Sequence, residues 1–563
     1  MSAKGSRSRS SVLLTALVAA LPLAIVVYPA VVTLGASLFP GGTFGFGLYS
    51  GFLPFADSPD LEALEKSVLL SVASALLAAA IGVPLGILLE WFDFPGKGLV
   101  GSLLTLPVAL PPLIGTLAFY FLYGESGIVP RGLQRIFGLE SVPFRLTGIP
   151  AVLLVHAYTL YVFFYLFTRA ACRRLDRSAI EAARSLGANG PETLVRVVLP
   201  QLFPAIGGAG LLVFMTSMAS FSAPFIFATS ERLLSLEIFH SRERGEVAKS
   251  LAETTVLTAA SLAALFLFRG ASRGRAALEG HGIAPRRLAR RSPLVTACAG
   301  AAAALLALVL LLPHATIVLL AFAENGTWTR EVLPPRYTLA NFEAFFGAIA
   351  SWARDGTAPA ILEPAIHSVW MTAVSTAVNV AFGILAAILL VRVKPKAGRA
   401  IEAAILLAWA LPGTAVAVNL LTAFPTLVGT VAILPMAYVV RNLPVLVRSS
   451  SASLAQVPVS LEEAARGLGA GRAGVFRRVL LPLVLPGVVA GAILVFVTTL
   501  GEYVATILLY TPRNVPISIQ IAADFREYNF GSAAAYGVVL LVLIGIALAV
   551  SRRFFGGGAE GLQ

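Results

Sequence analysis

The sequence predicts an all-α polytopic membrane protein, with about twelve transmembrane helices in two parallel halves of six related by a pseudo-two-fold axis. Three observations predict it. The 563 residues are 57% hydrophobic and only 13% charged, with mean hydropathy +0.85, whereas a soluble chain carries about 25% charge to face water. Apolar runs of roughly 20 residues, enough to cross about 30 Å of hydrocarbon, recur along the whole chain. One polar motif occurs twice, at equivalent places. The same composition excludes disordered, collagenous and nucleic-acid-binding classes. Cys172 and Cys298 lie too far apart in the chain for a disulfide framework or a Cys-rich metal site.

The runs lie near 11–34, 67–91, 99–123, 148–171, 199–225, 249–268, 293–322, 365–391, 400–423, 426–446, 480–507 and 532–550. The first follows Lys4, Arg7 and Arg9. It is longer than a signal-peptide core and lacks a convincing cleavage site, so it reads as a retained span. Pro107, Pro111, Pro112 and Pro412 fall inside spans and read as kinks whose freed backbone groups neighbours satisfy.

Net charge is +13, and its distribution gives the topology. If the N-terminus, the segments near 92–98, 172–198, 269–292, 392–399 and 441–479, and the C-terminus share a side, that side carries 29 Lys/Arg and 10 Asp/Glu, against 13 and 19 on the other. Excess Lys/Arg marks the cytoplasmic face. Both termini are therefore expected in the cytoplasm. Glu90 and Glu402, at cytoplasmic span ends beside basic residues, read as solvated interface charges.

Residues 181–200 read EAARSLGANGPETLVRVVLP and residues 463–482 read EAARGLGAGRAGVFRRVLLP, agreeing at eleven of twenty positions without gaps. Both copies fall between a fourth and a fifth span, so the repeat is parallel. The expected organisation is a first half of six spans over 1–268, a cytoplasmic Arg-rich linker over 269–292, and a second half of six spans over 293–563. The halves differ outside, where the loop at 124–147 has almost no counterpart near 424–426, and the 324–364 loop carries Trp328, Tyr337 and Trp352.

Each copy is written as a short helix. Ser178 with Glu181, and Ser460 with Glu463, fit capping boxes; Ala182, Ala183 and Leu186, or Ala464, Ala465 and Leu468, follow; Gly187 or Gly469 provides the stop. Pro200 or Pro482 then opens the next span. Two such helices at equivalent places suit two identical partners about a pseudo-two-fold axis.

The spacing Glu-Ala-Ala, three residues, Gly, nine residues, an aliphatic, one residue, Leu-Pro resembles the signature of permeases of binding-protein-dependent ABC importers. It occurs as Glu181-Ala182-Ala183, Gly187, Val197, Leu199-Pro200 and as Glu463-Ala464-Ala465, Gly469, Val479, Leu481-Pro482. The double length and GEYVATILLYTPRNVPISIQI at 501–521 resemble the ferric-iron transport type. The resemblance implies a fused permease in a bacterial cytoplasmic membrane, with the two helices docking two ATPase subunits and a solute-binding protein engaging the outer face. Iron would be the leading substrate, with thiamine, polyamine and phosphonate as alternatives.

No G-x-x-x-x-G-K-[ST] occurs, and Pro95-Gly96-Lys97-Gly98 lacks its first Gly and its Ser/Thr. The chain is therefore expected to be no enzyme and to hold no cofactor, with ATP and Mg bound by the partner. The five His show no paired metal spacing, and His156 reads as a packing or pore-lining group rather than a ligand. A secondary transporter would also show parallel halves, but should carry several buried ionisable groups; Glu502 is the one strong candidate. An intramembrane carboxylate must face the bundle interior or water. One reading places Thr498, Thr499, Glu502 and Tyr503, with Thr216, Ser217, Ser220 and Ser222, along a translocation path between the halves. The other puts Glu502 at the outer mouth, solvated or paired with Arg513.

Overall fold

The computed structural model describes residues 9–53, 55, 57–175, 177–273, 293–328 and 331–555. These residues are overwhelmingly α-helical, and their one extended pairing is an isolated bridge between Ala323 and Tyr337. Most of the linker expected at 269–292 lies outside the described residues.

The protein is an all-α polytopic membrane protein. Ten helices among the described residues are long and apolar enough to cross a membrane, and a bent pair would make eleven. Two of the twelve expected runs fall outside these ten. The run at 400–423 is two helices, Gly398–Ala410 and Gly413–Ala423, bent by 112° at Leu411-Pro412. Leu411 has φ −80° and ψ 119°, because a following proline disfavours the α region. Leu110, before Pro111, is extended in the same way (φ −73°, ψ 122°). These prolines thus break helices rather than kink them. The run at 426–446 is the helix Ile433–Gln456, which carries Arg441, Asn442 and Arg448 and buries most of its length in protein. A helix surrounded by protein needs no apolar exterior.

Two compact units divide the chain, one comprising 49–245 and 256–337, the other 1–48, 246–255 and 338–563. In the first, Pro59–Trp91 packs on Gly148–Cys172, Leu199–Met218 packs on both, and Pro293–Ala321 packs on Pro112–Tyr123. In the second, Glu363–Ala387 packs on Ile433–Gln456, Leu481–Leu500 packs on both, and the run at 9–38 packs on Gly413–Ala423. The units repeat one architecture. Their boundaries are not those of the sequence repeat, since each unit takes its peripheral first span from the other sequence half.

The central pair approaches closely at a glycine in each unit. A Cβ on Gly82 would lie 2.3 Å from the Tyr161 carbonyl oxygen, and one on Gly383 would lie 3.1 Å from Leu446. Small residues let membrane helices gain contact where burial alone gives no preference for protein over lipid.

Candidate coupling helices and polar clusters

Each repeated motif folds into a short helix followed by a second piece and a π-turn leading back into a long helix. In the first copy these are Arg177–Ser185, Gly190–Thr193, Leu194–Val198 and Leu199–Met218. In the second they are Val459–Gly467, Arg472–Val475, Phe476–Leu480 and Leu481–Leu500. The expected stops form. Gly187 has φ +88° and Gly469 φ +84°. The Ala188 amide donates to the Ala183 carbonyl and the Ala470 amide to the Ala465 carbonyl, each over 3.0 Å, the bond that ties off an αL-terminated helix.

In the second copy the expected cap differs. Pro458, not Ser460, is the N-cap of the second helix, with no side-chain cap bond; proline fixes its φ and admits the chain to the helix without that help. Ser178 lies within the first turn of Arg177–Ser185. A capping box stands one helix later, where the Asn189 side chain accepts from the Glu192 amide and Glu192 accepts from the Asn189 amide.

The motif residues present the same face in both copies. Glu181, Ala182 and Gly187 are exposed, as are Glu463, Ala464 and Gly469, while Ala183 and Ala465 are half-buried. Leu186 and Leu468 are 88% and 89% exposed. The opposite faces are seated differently. Ile180 is buried with Cys172, Leu175, Val198 and Leu202, and Trp91 packs against that cluster. At the corresponding position Glu462 is buried and accepts a 2.6 Å hydrogen bond from Arg392 Nε, whose Nη2 also donates to the Leu454 and Val457 carbonyls.

The polar residues singled out from sequence form two clusters, one in each unit. In the first unit, His156 is buried at the centre: Nδ1 lies 2.8 Å from Ser74 Oγ and 3.2 Å from Ser217 Oγ, and Nε2 lies 2.8 Å from Ser220 Oγ. This is a packing role through hydrogen bonds, worth most where no water competes. Thr216 is exposed and bonds its own helix at Leu212, and Ser222 is buried with no hydrogen-bond partner for Oγ among the described residues. Neither joins the His156 cluster.

In the second unit, Asn442 Nδ2 donates to Thr499 Oγ1 over 3.0 Å, and Thr498 Oγ1 donates to Asn442 Oδ1 over 3.0 Å. Glu502 is 7% exposed and caps the helix Thr506–Leu509: its carboxylate accepts from the Ala505 and Thr506 amides, each over 3.1 Å, and from Thr506 Oγ1 over 2.7 Å. Its cation is Arg441, whose Nε is 3.4 Å away, and not Arg513. Tyr503 is fully buried. Arg441 and Asn442 escaped the sequence reading because Arg441 was counted with the cytoplasmic segment. The signal was present, since a charge deep in a helix calls for a partner.

Identical bonds join equivalent residues of the two units. The Leu234 amide donates to Ser67 Oγ as the Ile517 amide donates to Ser368 Oγ; Ser235 Oγ donates to the Ser220 carbonyl as Ser518 Oγ donates to the Glu502 carbonyl. Glu502 therefore stands where Ser220 stands.

The chain is 30% identical over 548 residues to a probable ABC transporter permease protein, y4fN, of Sinorhizobium fredii, covering 94% of this chain and 93% of that one. It is 24% identical to a ferric transport system permease protein, FbpB, of Actinobacillus pleuropneumoniae, over 78% of this chain and 63% of the relative. It is 36% identical to a probable molybdenum ABC transporter permease protein of Haloferax volcanii, over 35% of this chain and 76% of the relative. The profile of one family, the binding-protein-dependent transport system inner membrane component, matches twice, over residues 82–275 and 379–555, each match spanning one copy of the exposed Glu-Ala-Ala helix. The chain thus belongs to this family of ABC importer permeases, as a double-length member carrying the permease domain in duplicate.

Proposed function

We propose that this permease passes a small solute, with ferric iron as the leading candidate, from an external solute-binding protein to the cytoplasm of a bacterium. Two ATPase subunits, which bind the ATP and Mg that this chain has no motif for, would drive it through the twin helices. Glu181, Ala182, Ala183 and Gly187, with Glu463, Ala464, Ala465 and Gly469, form the two docking faces. The observation that carries this reading is the matched exposure of those residues on two identically terminated helices. Leu186 and Leu468, almost wholly exposed, supply each face with the apolar anchor that protein interfaces favour.

Both termini and both helices lie on the cytoplasmic side in this reading, as the Lys/Arg excess requires. Thr216, Ser217, Ser220, Ser222, Thr498, Thr499, Glu502 and Tyr503 mark the solute's route. Iron is favoured by the FbpB relative, which aligns over most of this chain. The molybdenum permease relative favours an oxyanion as the second reading.

The test is reconstitution with the ATPase and the binding protein in vesicles, offering ferric complexes and molybdate in turn. Glu181→Arg with Glu463→Arg should abolish ATPase co-purification and uptake while leaving the protein inserted. Uptake that persists in vesicles lacking the ATPase would overturn the reading.

A further inference from the structure

The loop after the long helix of each unit meets the peripheral first span differently. In one unit Phe94, which precedes Pro95, lies against Gly300 of Pro293–Ala321, so closely that a Cβ on Gly300 would sit 3.0 Å from the ring. In the other unit Lys394 precedes Pro395, and a groove of about 510 Å³ opens beside it. Val12, Ala16 and Ala19 of the first span line one wall; Lys394, Pro395 and Ile401 line the other.

The two places correspond. Pro29 in the first span and Gly42 just after it are spaced as Pro313 and Gly326 are in and after its counterpart, and both glycines have positive φ (87° and 74°). The same step back from the prolines reaches Ala16 and Gly300. The Lys97 amide donates to the Phe94 carbonyl as the Gly398 amide donates to the Pro395 carbonyl, so Phe94 is matched by Pro395 and Asp93 by Lys394. The seat filled by an aromatic ring in one unit thus faces the smaller proline in the other, beside a lysine in place of an aspartate. Lys394 holds φ +48°, a left-handed conformation that a side chain other than glycine's adopts at a penalty.

We propose that this groove binds one anionic phospholipid, an acyl chain taking the place of the aromatic ring and the phosphate meeting the Lys394 ammonium. The volume lies within the range of small-molecule sites, about 300–1,000 Å³. Its walls are apolar apart from Lys394 and Thr15, and no acidic residue lines it among the described residues. Lys396 and Arg399, exposed on the same connection, extend the positive field, the arrangement by which basic pockets between membrane helices select acidic headgroups. Glu402, the nearest carboxylate in sequence, is paired with Arg448 at 3.9 Å. The orientation proposed above would place the groove in the cytoplasmic leaflet, but lipid selectivity does not depend on that orientation.

Native mass spectrometry of the full-length protein tests this, using micelles loaded with phosphatidylglycerol and phosphatidylcholine of identical chains. The wild type should retain one phosphatidylglycerol at least tenfold more often than phosphatidylcholine. Lys394→Gln should reduce that preference to twofold or less, and Ala16→Phe, which fills the seat as Phe94 does, should lose the retained lipid. Equal retention of the two lipids by the wild type would overturn the proposal, as would an undiminished preference in Lys394→Gln. Should Ala16→Phe fail to fold, Lys394→Gln at its exposed position decides alone.

Discussion

Arg392 and Glu462 are joined over 2.6 Å at the place where the other repeat packs Trp91 against the cluster containing Ile180. Arg392 follows Gly383 as Trp91 follows Gly82, and Glu462 and Ile180 each immediately precede Glu-Ala-Ala. One fold position is thus held by charge in one unit and by apolar packing in the other. Removing one partner of a buried ion pair costs about 3–5 kcal/mol, whereas replacing both by well-packed apolar groups is often neutral. Glu462→Ile or Arg392→Trp alone is therefore expected to lower the thermal midpoint and loosen ATPase association. The double variant should recover most of both, read by thermal unfolding and pull-down.

Leu186 and Leu468 contribute almost nothing to the protein's own packing, being 88% and 89% exposed. Leu186→Asp and Leu468→Asp should leave the unfolding free energy within about 0.5 kcal/mol of wild type, and the thermal midpoint essentially unmoved, as exposed substitutions do. Each should weaken ATPase co-purification at least tenfold. A lowered midpoint with intact co-purification would assign them a folding role instead.

Gly82 and Gly383 separate two degrees of crowding. The 2.3 Å approach to the Tyr161 carbonyl leaves no room for a methyl group, whereas 3.1 Å at Leu446 is tight contact that a small shift relieves. Gly82→Ala is expected to cost about 1–3 kcal/mol by overpacking, and Gly383→Ala distinctly less. Denaturation in mild detergent, comparing the two variants, checks the order.

Asp524 predicts a pH dependence. Burial pushes its carboxyl above the ordinary carboxylate value, outweighing the hydrogen bond from Gln520 that pulls it down, and Glu527 adds repulsion. A carboxyl raised in the folded state gives stability that is full below its unfolded pKa and is lost as pH rises through the folded one. Asp524→Asn should therefore raise the thermal midpoint at pH 8. The gain should shrink as pH falls toward about 4, the ordinary aspartate value.

Much of this was legible in sequence because the repeat displays it twice. Gly187 and Gly469 announced αL stops and adopt them, since only glycine enters that region freely. Glu502 follows Ser220 by the same 282 residues that separate Glu463 from Glu181, and that match holds down to shared hydrogen bonds from Ser235 and Ser518. Tertiary packing settled the rest. Hydropathy started the helix Ile433–Gln456 seven residues early, at 426, and it counted Leu411-Pro412 as a kink because the direction of a break is set by neighbours. Ser460 lost its cap to Pro458, two residues earlier, where a fixed φ starts the helix without a side-chain bond. The Arg392–Glu462 pair was invisible because its members are seventy residues apart and the other repeat has nothing charged at those positions.

The exchange of first spans between sequence halves bears on biosynthesis. The helical run at 9–38 is translated more than 350 residues before the helices it packs against, Gly398–Ala410 and Gly413–Ala423. It must wait in lipid, or in the care of the insertion machinery, until that late stretch arrives. A chain stalled or severed between the halves would strand this helix without its partners, so neither half made alone has the parts of a finished unit.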